Sequence, residues 1–152
     1  MKKYRKLLLG VLLFLSGNLN AQKSDYTKKY KPLADSLSAI YSIPSNVILG
    51  IAIVESGYGT SKICRVLNNH FGMKGKNSFK KKMKSAYRQY DSDTASYIAF
   101  CHMVAKRKYY SKMTSTQDIR SWLMAIGRAG YNNHPTSWTN AIMRILKKEA
   151  LI

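Results

Sequence analysis

Glu55 is the side chain whose surroundings in this sequence best suit acid–base chemistry. It follows an unbroken apolar run, residues 47–54, and precedes a glycine-rich turn at residues 57–59. A carboxyl group at the C-terminal end of an apolar helix is disfavoured as an anion, both by desolvation and by the negative end of the helix dipole. We therefore predict a raised pKa and a proton donor available near neutral pH. The alternative is a solvated glutamate that forms an ordinary ion pair after a core helix.

The helix that carries Glu55 is too apolar on all sides to lie on a surface, so the pattern predicts a helix buried inside the domain. Pro44 suits its first turn, and Ser45 or Asn46 is expected to cap it. Helical periodicity predicts an amphipathic helix over residues 25–42, and further helices follow from Asp93 to the end of the chain. The bare backbone beside Glu55 in the glycine-rich turn would let an extended ligand approach.

A second segment, residues 74–90, alternates lysine and arginine with aromatic residues around a turn at residues 76–78. We interpret it as a short segment of two β-strands that leaves the helical part of the chain and returns to it. It contains no aspartate or glutamate, and the nearest carboxyl groups on its C-terminal side are those of Asp91 and Asp93. A helix cap is the interpretation that we prefer for Asp93.

The charge balance indicates a partner with negative charge. The sequence has 26 Lys plus Arg against 7 Asp plus Glu, a formal net charge of +19. Residues 1–21 combine a basic start, a short apolar core and small residues before Ala21, the pattern of a signal peptide that is cleaved after export. Removing its four basic residues leaves +15 for residues 22–152. The apolar core is shorter than the roughly 20 residues of a membrane-spanning helix, so we expect no stable membrane anchor.

An exported protein of this charge is expected to meet anionic cell-envelope polymers rather than nucleic acid. No nucleic-acid-binding motif is present, although a basic nucleic-acid binder retained in the cytoplasm is the alternative. Cys64 and Cys101, the two cysteines of the chain, either pair after export or remain as buried thiols. The three histidines are scattered without ligand spacing, so we expect no metal and no other cofactor.

Two strings, residues 55–61 (ESGYGTS) and 68–75 (NNHFGMKG), resemble the glucosaminidase domain of bacterial autolysins and flagellar peptidoglycan hydrolases, glycoside hydrolase family 73. Residues 30–34, 90–92 and 129–131 with Pro135 extend the resemblance over nearly the whole of residues 22–152. It implies a mainly α-helical, lysozyme-like α+β fold, with a small β-hairpin beside the cleft. It also implies a monomeric enzyme acting on peptidoglycan glycan strands, which cuts the bond between N-acetylglucosamine and N-acetylmuramic acid.

The resemblance also assigns roles to side chains. Glu55 matches the family's general acid, Tyr131 an aromatic residue placed across the cleft, and Asp91 the family's YDS motif, where a structural role is the alternative. The residues expected to bind substrate are Tyr58, Asn68, Asn69, Phe71, Lys74 and His134. A turn that satisfies its own backbone is the alternative for the asparagine pair, and core packing is the alternative for Phe71.

The sequence departs from the family where many members carry a second acidic residue in the hairpin. Three hypotheses follow for the missing group. The substrate's own 2-acetamido oxygen attacks the anomeric carbon, or Asp91 acts through water, or one glutamate serves as acid and then base, as in lytic transglycosylases. A wall-binding module without catalysis is the alternative from another class of function.

Overall fold

The computed structural model describes residues 25–78 and 85–152. Seven α-helices lie in these two ranges, and one wide, π-helical turn joins the last two. The helices are α1 (residues 25–41), α2 (Ser45–Ser56), α3 (Lys62–Leu67), α4 (Asp93–Ala105), α5 (Tyr110–Met113), α6 (Ile119–Ile126) and α7 (Pro135–Lys148), and the wide turn spans Gly127–Tyr131. The mainly helical fold that we predicted is confirmed.

Helix α2 forms the centre of the core, as its composition predicted. Residues 47–53 are all buried, and the helix packs against α6 and α7. The predicted cap is wrong: Pro44 occupies the cap position without a side-chain hydrogen bond, and Ser45 and Asn46 lie inside the helix. The Asn46 amide instead donates to the carbonyl of Leu151, so this side chain ties the helix start to the end of the chain.

Helix α1 covers α2 with one apolar face, in agreement with the periodicity of the sequence. Tyr26, Tyr30, Ala34 and Leu37 are buried on that face. Near the end of the helix, Ile40 is 71% exposed whereas Tyr41 is partly buried against the core.

The expected β-hairpin is reduced to one antiparallel bridge in the described residues. Lys74 pairs with Tyr87, and the flanking backbone bonds join Gly75 to Ala86 (2.9 Å) and Arg88 to Met73 (2.7 Å). No strand is formed in the ranges that the structure describes, and residues 79–84, the expected tip, lie outside them. Residues 86–89 therefore lie beside residues 73–76, but the two segments form no regular β-ladder.

Cys64 and Cys101 are both buried and both free thiols, so the second of the two alternatives is the one observed. Burial raises the pKa of each thiol to about 12. The predicted signal peptide, residues 1–21, lies outside the described residues. Among the helices that the structure does describe, none has the length and apolar character needed to cross a membrane.

Candidate active site

Glu55 lies in the last turn of α2, and its two carboxylate oxygens have different surroundings. Oε1 accepts a hydrogen bond of 2.8 Å from the indole Nε1 of Trp138. Oε2 faces Gly72, where a Cβ atom would lie 3.5 Å away, and it takes no hydrogen bond from the described residues. One oxygen is therefore held by the protein and the other is left to a ligand.

The pKa of Glu55 is raised above its ordinary value, as predicted. Burial of the carboxyl group is the larger cause, and the hydrogen bond from Trp138 opposes it by stabilising the anion. No cation is paired with this carboxyl group in the described part of the chain. The ion pair that we considered as an alternative is therefore not formed there.

Ser56, the residue that follows Glu55, holds the glycine-rich turn at residues 57–59 in place. Gly57 ends α2 in the left-handed conformation, at φ 57°. Ser56 is fully buried, and its hydroxyl donates to the carbonyl of Ala52 (2.7 Å) and accepts from the amide of Gly59 (2.8 Å). Because consecutive helical residues point about 100° apart, Ser56 faces the core while Glu55 faces the cleft.

Tyr131 ends the wide turn that follows α6. Its hydroxyl donates a 2.6 Å hydrogen bond to the backbone carbonyl of Phe71, and its ring packs against Trp138 at a centroid distance of 5.4 Å. Burial raises its pKa well above the ordinary value, and the nearby charge of Glu55 adds to this. Its phenol oxygen keeps its proton and, with that proton engaged, offers lone pairs to other partners.

Trp138, on α7, is a residue of the site that the sequence analysis did not single out. Helix α7 reaches Glu55 because Gly127 has no side chain: a Cβ there would lie 2.9 Å from Pro135 and 3.4 Å from Trp138. The sequence could have indicated this role through the indole N–H of Trp138, which needs a hydrogen-bond acceptor once the ring is buried. Which acceptor it meets depends on how α7 packs across α2.

Glu55 and Tyr131 line one cleft of about 540 Å³. Its other walls are the segment 71–74, Met103 of α4, Arg107 just after that helix, and residues 130, 132 and 133. Among the residues that the structure describes, Glu55 is the one carboxyl group in the lining. Of the site residues predicted from the sequence, the cleft brings together Glu55, Phe71, Lys74 and Tyr131.

Asn68 and Asn69 are occupied by the backbone. Asn68 adopts a left-handed conformation at the end of α3, and its amide donates to Tyr90. Asn69 is buried, and it donates to the carbonyls of Met73 (2.8 Å) and Arg88 (2.7 Å) while its Oδ1 accepts from the amide of Met73. This pair therefore supports the loop that shapes the cleft, which was the alternative stated above.

The other predicted site residues lie outside the cleft lining. The hydroxyl of Tyr58 donates to Glu149 (2.8 Å). His134 is exposed at the start of α7, in a separate surface depression that shares Asn133 with the cleft. Asp91 is exposed immediately before α4. Within the described ranges, no three His, Cys, Asp or Glu side chains lie close enough together to hold a metal ion.

A buried polar cluster lies on the side of Ser56 that faces away from Glu55. Tyr26 binds Nδ1 of His70 (2.7 Å) and the hydroxyl of Tyr97 (3.0 Å), and Nε2 of His70 lies 3.0 Å from Asp93. Tyr30 donates to the same carboxylate of Asp93. Burial alone would raise the pKa of Asp93, but the donors around it outweigh burial and lower that pKa.

The fold and the cleft together define a class of protein: a mainly helical, lysozyme-like domain with a carboxyl group in the lining of a cleft. A family model described as mannosyl-glycoprotein endo-beta-N-acetylglucosaminidase matches residues 31–151. The chain belongs to this glucosaminidase family of glycoside hydrolases, which confirms the resemblance found in the sequence.

One curated protein is similar to this chain in sequence. Protein bax of Escherichia coli is 27% identical over 141 residues, covering 79% of this chain and 52% of that protein. The chain thus spans about half the length of this curated relative.

Solved structures share the fold. The catalytic domain of the autolysin Auto from Listeria monocytogenes matches with a TM-score of 0.70 and 16% identity, over 86% of this chain and 85% of that one. The truncated glycoside hydrolase domain of FlgJ from Salmonella typhimurium matches with a TM-score of 0.64 and 23% identity, over 83% and 98%.

Proposed function

We propose that this protein is an exported peptidoglycan hydrolase that cuts the β-1,4 bond between N-acetylglucosamine and N-acetylmuramic acid, with Glu55 as the general acid. The asymmetry of the Glu55 carboxyl group is the observation that carries the proposal. Oε1 is held by Trp138, Oε2 opens onto the cleft, and burial favours the protonated form. A glycosidic oxygen is a poor leaving group and needs a proton as the oxocarbenium-like transition state forms.

The family and the charge support the choice of substrate. The solved structures named above are the catalytic domain of an autolysin and the glycoside hydrolase domain of FlgJ. The formal charge of +15 on residues 22–152 favours association with an anionic polymer, and an exported protein meets such polymers in the cell envelope. The proposal includes residues 1–21 as a cleaved signal peptide and residues 22–152 as a monomeric catalytic domain.

The second chemical role falls to the substrate in this proposal. With one carboxyl group in the described cleft lining, no partner is at hand there to act as nucleophile or base. The 2-acetamido oxygen of N-acetylglucosamine can attack its own anomeric carbon, which gives an oxazoline intermediate and retention of configuration. Because the Tyr131 hydroxyl donates to Phe71, its oxygen is free to accept the acetamido N–H and so orient that group.

Product analysis tests the proposal. Purified protein is incubated with peptidoglycan sacculi, and the released fragments are reduced with borohydride and weighed by mass spectrometry. Hydrolysis at the proposed bond gives fragments that end in reduced N-acetylglucosamine. The Glu55→Gln variant should release none, while Glu149→Gln, the same change at the other glutamate, should match the unmodified protein.

Three other outcomes would contradict parts of the proposal. Fragments lacking the added water and ending in 1,6-anhydro sugars would identify a lytic transglycosylase with a single glutamate. Binding to sacculi without any released fragment would identify a wall-binding module. Recovery of the α-anomer from the β-linked substrate, followed by NMR, would exclude the acetamido route and favour Asp91 acting through water.

A further inference from the structure

A basic pocket adjoins the Glu55 cleft. It encloses about 450 Å³, and its walls include the cations Arg88, Lys106 and Arg107 together with His102. Met73, Met103 and Arg107 line both the pocket and the cleft, so the two form one continuous depression. A ligand in the cleft can therefore extend a charged branch into the pocket without leaving the surface.

Within the described residues, no acidic side chain neutralises the positive charge of this pocket, and no carboxyl group is among the lining residues there. The ion pairs in these ranges join Lys29 to Asp93 and Lys31 to Asp35, and His70 contacts Asp93, so none of these contacts involves the basic residues of the pocket. Clustered cations without an acidic partner repel one another, and an anionic ligand relieves that repulsion.

Arg88 is held in position rather than left free in solvent. Its aliphatic stem lies against Gly75, where a Cβ would approach it to 3.1 Å, and its guanidinium lies 5.1 Å from the centre of the Tyr90 ring. Its backbone is fixed by bonds to Met73 (2.7 Å) and Asn69 (2.7 Å). A cation fixed in this way loses less conformational entropy when it binds an anion.

We propose that this pocket binds the carboxylates of the peptide stems that branch from the glycan strand. The inference rests on the proposed function, because it assigns an anionic branch to the polymer that occupies the cleft. Carboxylates are the anionic groups that a peptidoglycan strand itself carries beside its sugars. A branch bound here aligns the strand along the cleft and makes peptide-bearing strands better ligands than strands whose carboxylates are neutral.

The test compares two forms of one ligand. Soluble peptide-bearing glycan strands are used either untreated or with their carboxylates converted to amides, which removes charge and changes shape little. Binding is measured with full-length Glu55→Gln protein, so that cleavage does not alter the ligand. We expect the untreated strands to bind about fivefold more tightly, since exposed ion pairs contribute modestly.

Two charge-matched double variants are compared in this background. Arg88→Gln with Lys106→Gln should abolish the preference for untreated strands. Arg144→Gln with Lys147→Gln removes the same charge from a different depression, between α6 and α7, and should keep the preference. An equal loss in both double variants, or no loss in either, would overturn the inference.

A third ligand separates peptide carboxylates from the phosphates of wall polymers. If poly(glycerol phosphate) binds more tightly than the untreated strands, and loses its binding with Arg88→Gln and Lys106→Gln, the pocket takes phosphate and the inference is wrong. Failure of the proposed function is distinguishable from these results. In that case the protein with Glu55 intact releases no fragments, while the charge preference in binding persists.

Discussion

Two carboxyl groups at opposite sides of Ser56 illustrate how surroundings decide the role of an acidic residue. Glu55 is partly buried with one hydrogen-bond donor, from Trp138, and burial raises its pKa. Asp93 is also partly buried, but Tyr30, His70 and Lys29 surround it and lower its pKa. Few donors surround Glu55, and burial shifts its carboxyl group towards the protonated form. The donors around Asp93 favour its anion, which joins α1, α4 and residue 70.

The two pKa shifts differ in direction because the number of hydrogen-bond donors differs, and not because burial acts in opposite directions on the two carboxyl groups. A carboxylate that accepts several hydrogen bonds recovers the solvation it loses on burial, and one that accepts a single bond does not. A carboxyl group with few donors is therefore expected to destabilise the fold when it is an anion, and the donors around Asp93 are expected to make that carboxylate stabilising. The following predictions separate these two roles.

The largest expected effect is on catalysis. Glu55→Gln should lower the rate of glycan cleavage by roughly 10³-fold, because a general acid contributes about 10²–10⁴-fold. Asp93→Asn should leave the rate per folded molecule within about twofold, since Asp93 lies outside the cleft. Initial rates on soluble glycan strands, corrected for the folded fraction measured by circular dichroism, check both values. Equal losses in the two variants would remove the functional distinction.

The next effect is on stability. Asp93→Asn should lower the free energy of unfolding by about 2 kcal/mol at pH 7, after allowance for its partial exposure, because charged hydrogen bonds to Tyr30 and His70 are lost. Since the folded pKa of Asp93 is lowered, its contribution is present above the unfolded value of about 3.9 and is lost as the pH falls through the folded value. Urea titrations at pH 7 and pH 3 should show the difference shrinking. A constant difference would mean that shape rather than charge holds the cluster.

Removing the one hydrogen-bond donor to Glu55 should shift the pH dependence of the cleavage rate. Trp138→Phe eliminates the hydrogen bond that stabilises the anion, so the pKa of Glu55 should rise further. The alkaline limb of the rate profile then moves to higher pH, and the maximal rate falls about tenfold as the carboxyl group loses its orientation. Trp122→Phe serves as the control, because Trp122 is fully buried and its indole donates to the carbonyl of Thr116 instead. A limb that does not move, or a shift of equal size in the control, would contradict the assignment of Trp138.

Glu55 should also cost the protein stability. Because its folded pKa is raised, its contribution to stability is complete below the unfolded value and is lost as the pH rises through the folded value. Glu55→Gln should therefore stabilise the protein at pH 8, by about 1 kcal/mol, and leave it unchanged near pH 4. Thermal unfolding at the two pH values measures this. Destabilisation at pH 8 would show that the anion is better solvated than its surroundings indicate.

The smallest effect is expected at Asp91. It is exposed and lies outside the cleft lining, so Asp91→Asn should change the cleavage rate by less than about twofold. The rate on soluble strands and the anomer first released, followed by NMR, are measured together. A loss of 100-fold or more would return Asp91 to the reaction as the partner of Glu55.

The local sequence pattern was enough to predict the helical elements of this fold and the direction of the pKa shift of Glu55. An apolar run followed by Glu55 and a glycine predicted a buried helix that ends at the carboxyl group, because helical periodicity and burial depend on neighbouring residues. The same reasoning failed at the helix start, where Pro44 replaces the expected Ser45 or Asn46 cap. The predicted hairpin is present only as the bridge between Lys74 and Tyr87 in the described residues.

The sequence by itself determined that a carboxyl group would stand at the end of a buried helix, with too few polar neighbours along the chain to hold it as an anion. Tertiary structure decided which groups surround it. Trp138 is 83 positions away and Tyr131 binds a carbonyl 60 positions away, and both reach the site through the packing of the C-terminal segments against α2. Contacts between distant helices depend on how side chains fit across them, as at Gly127 against Pro135, and that fit has no signature in local periodicity.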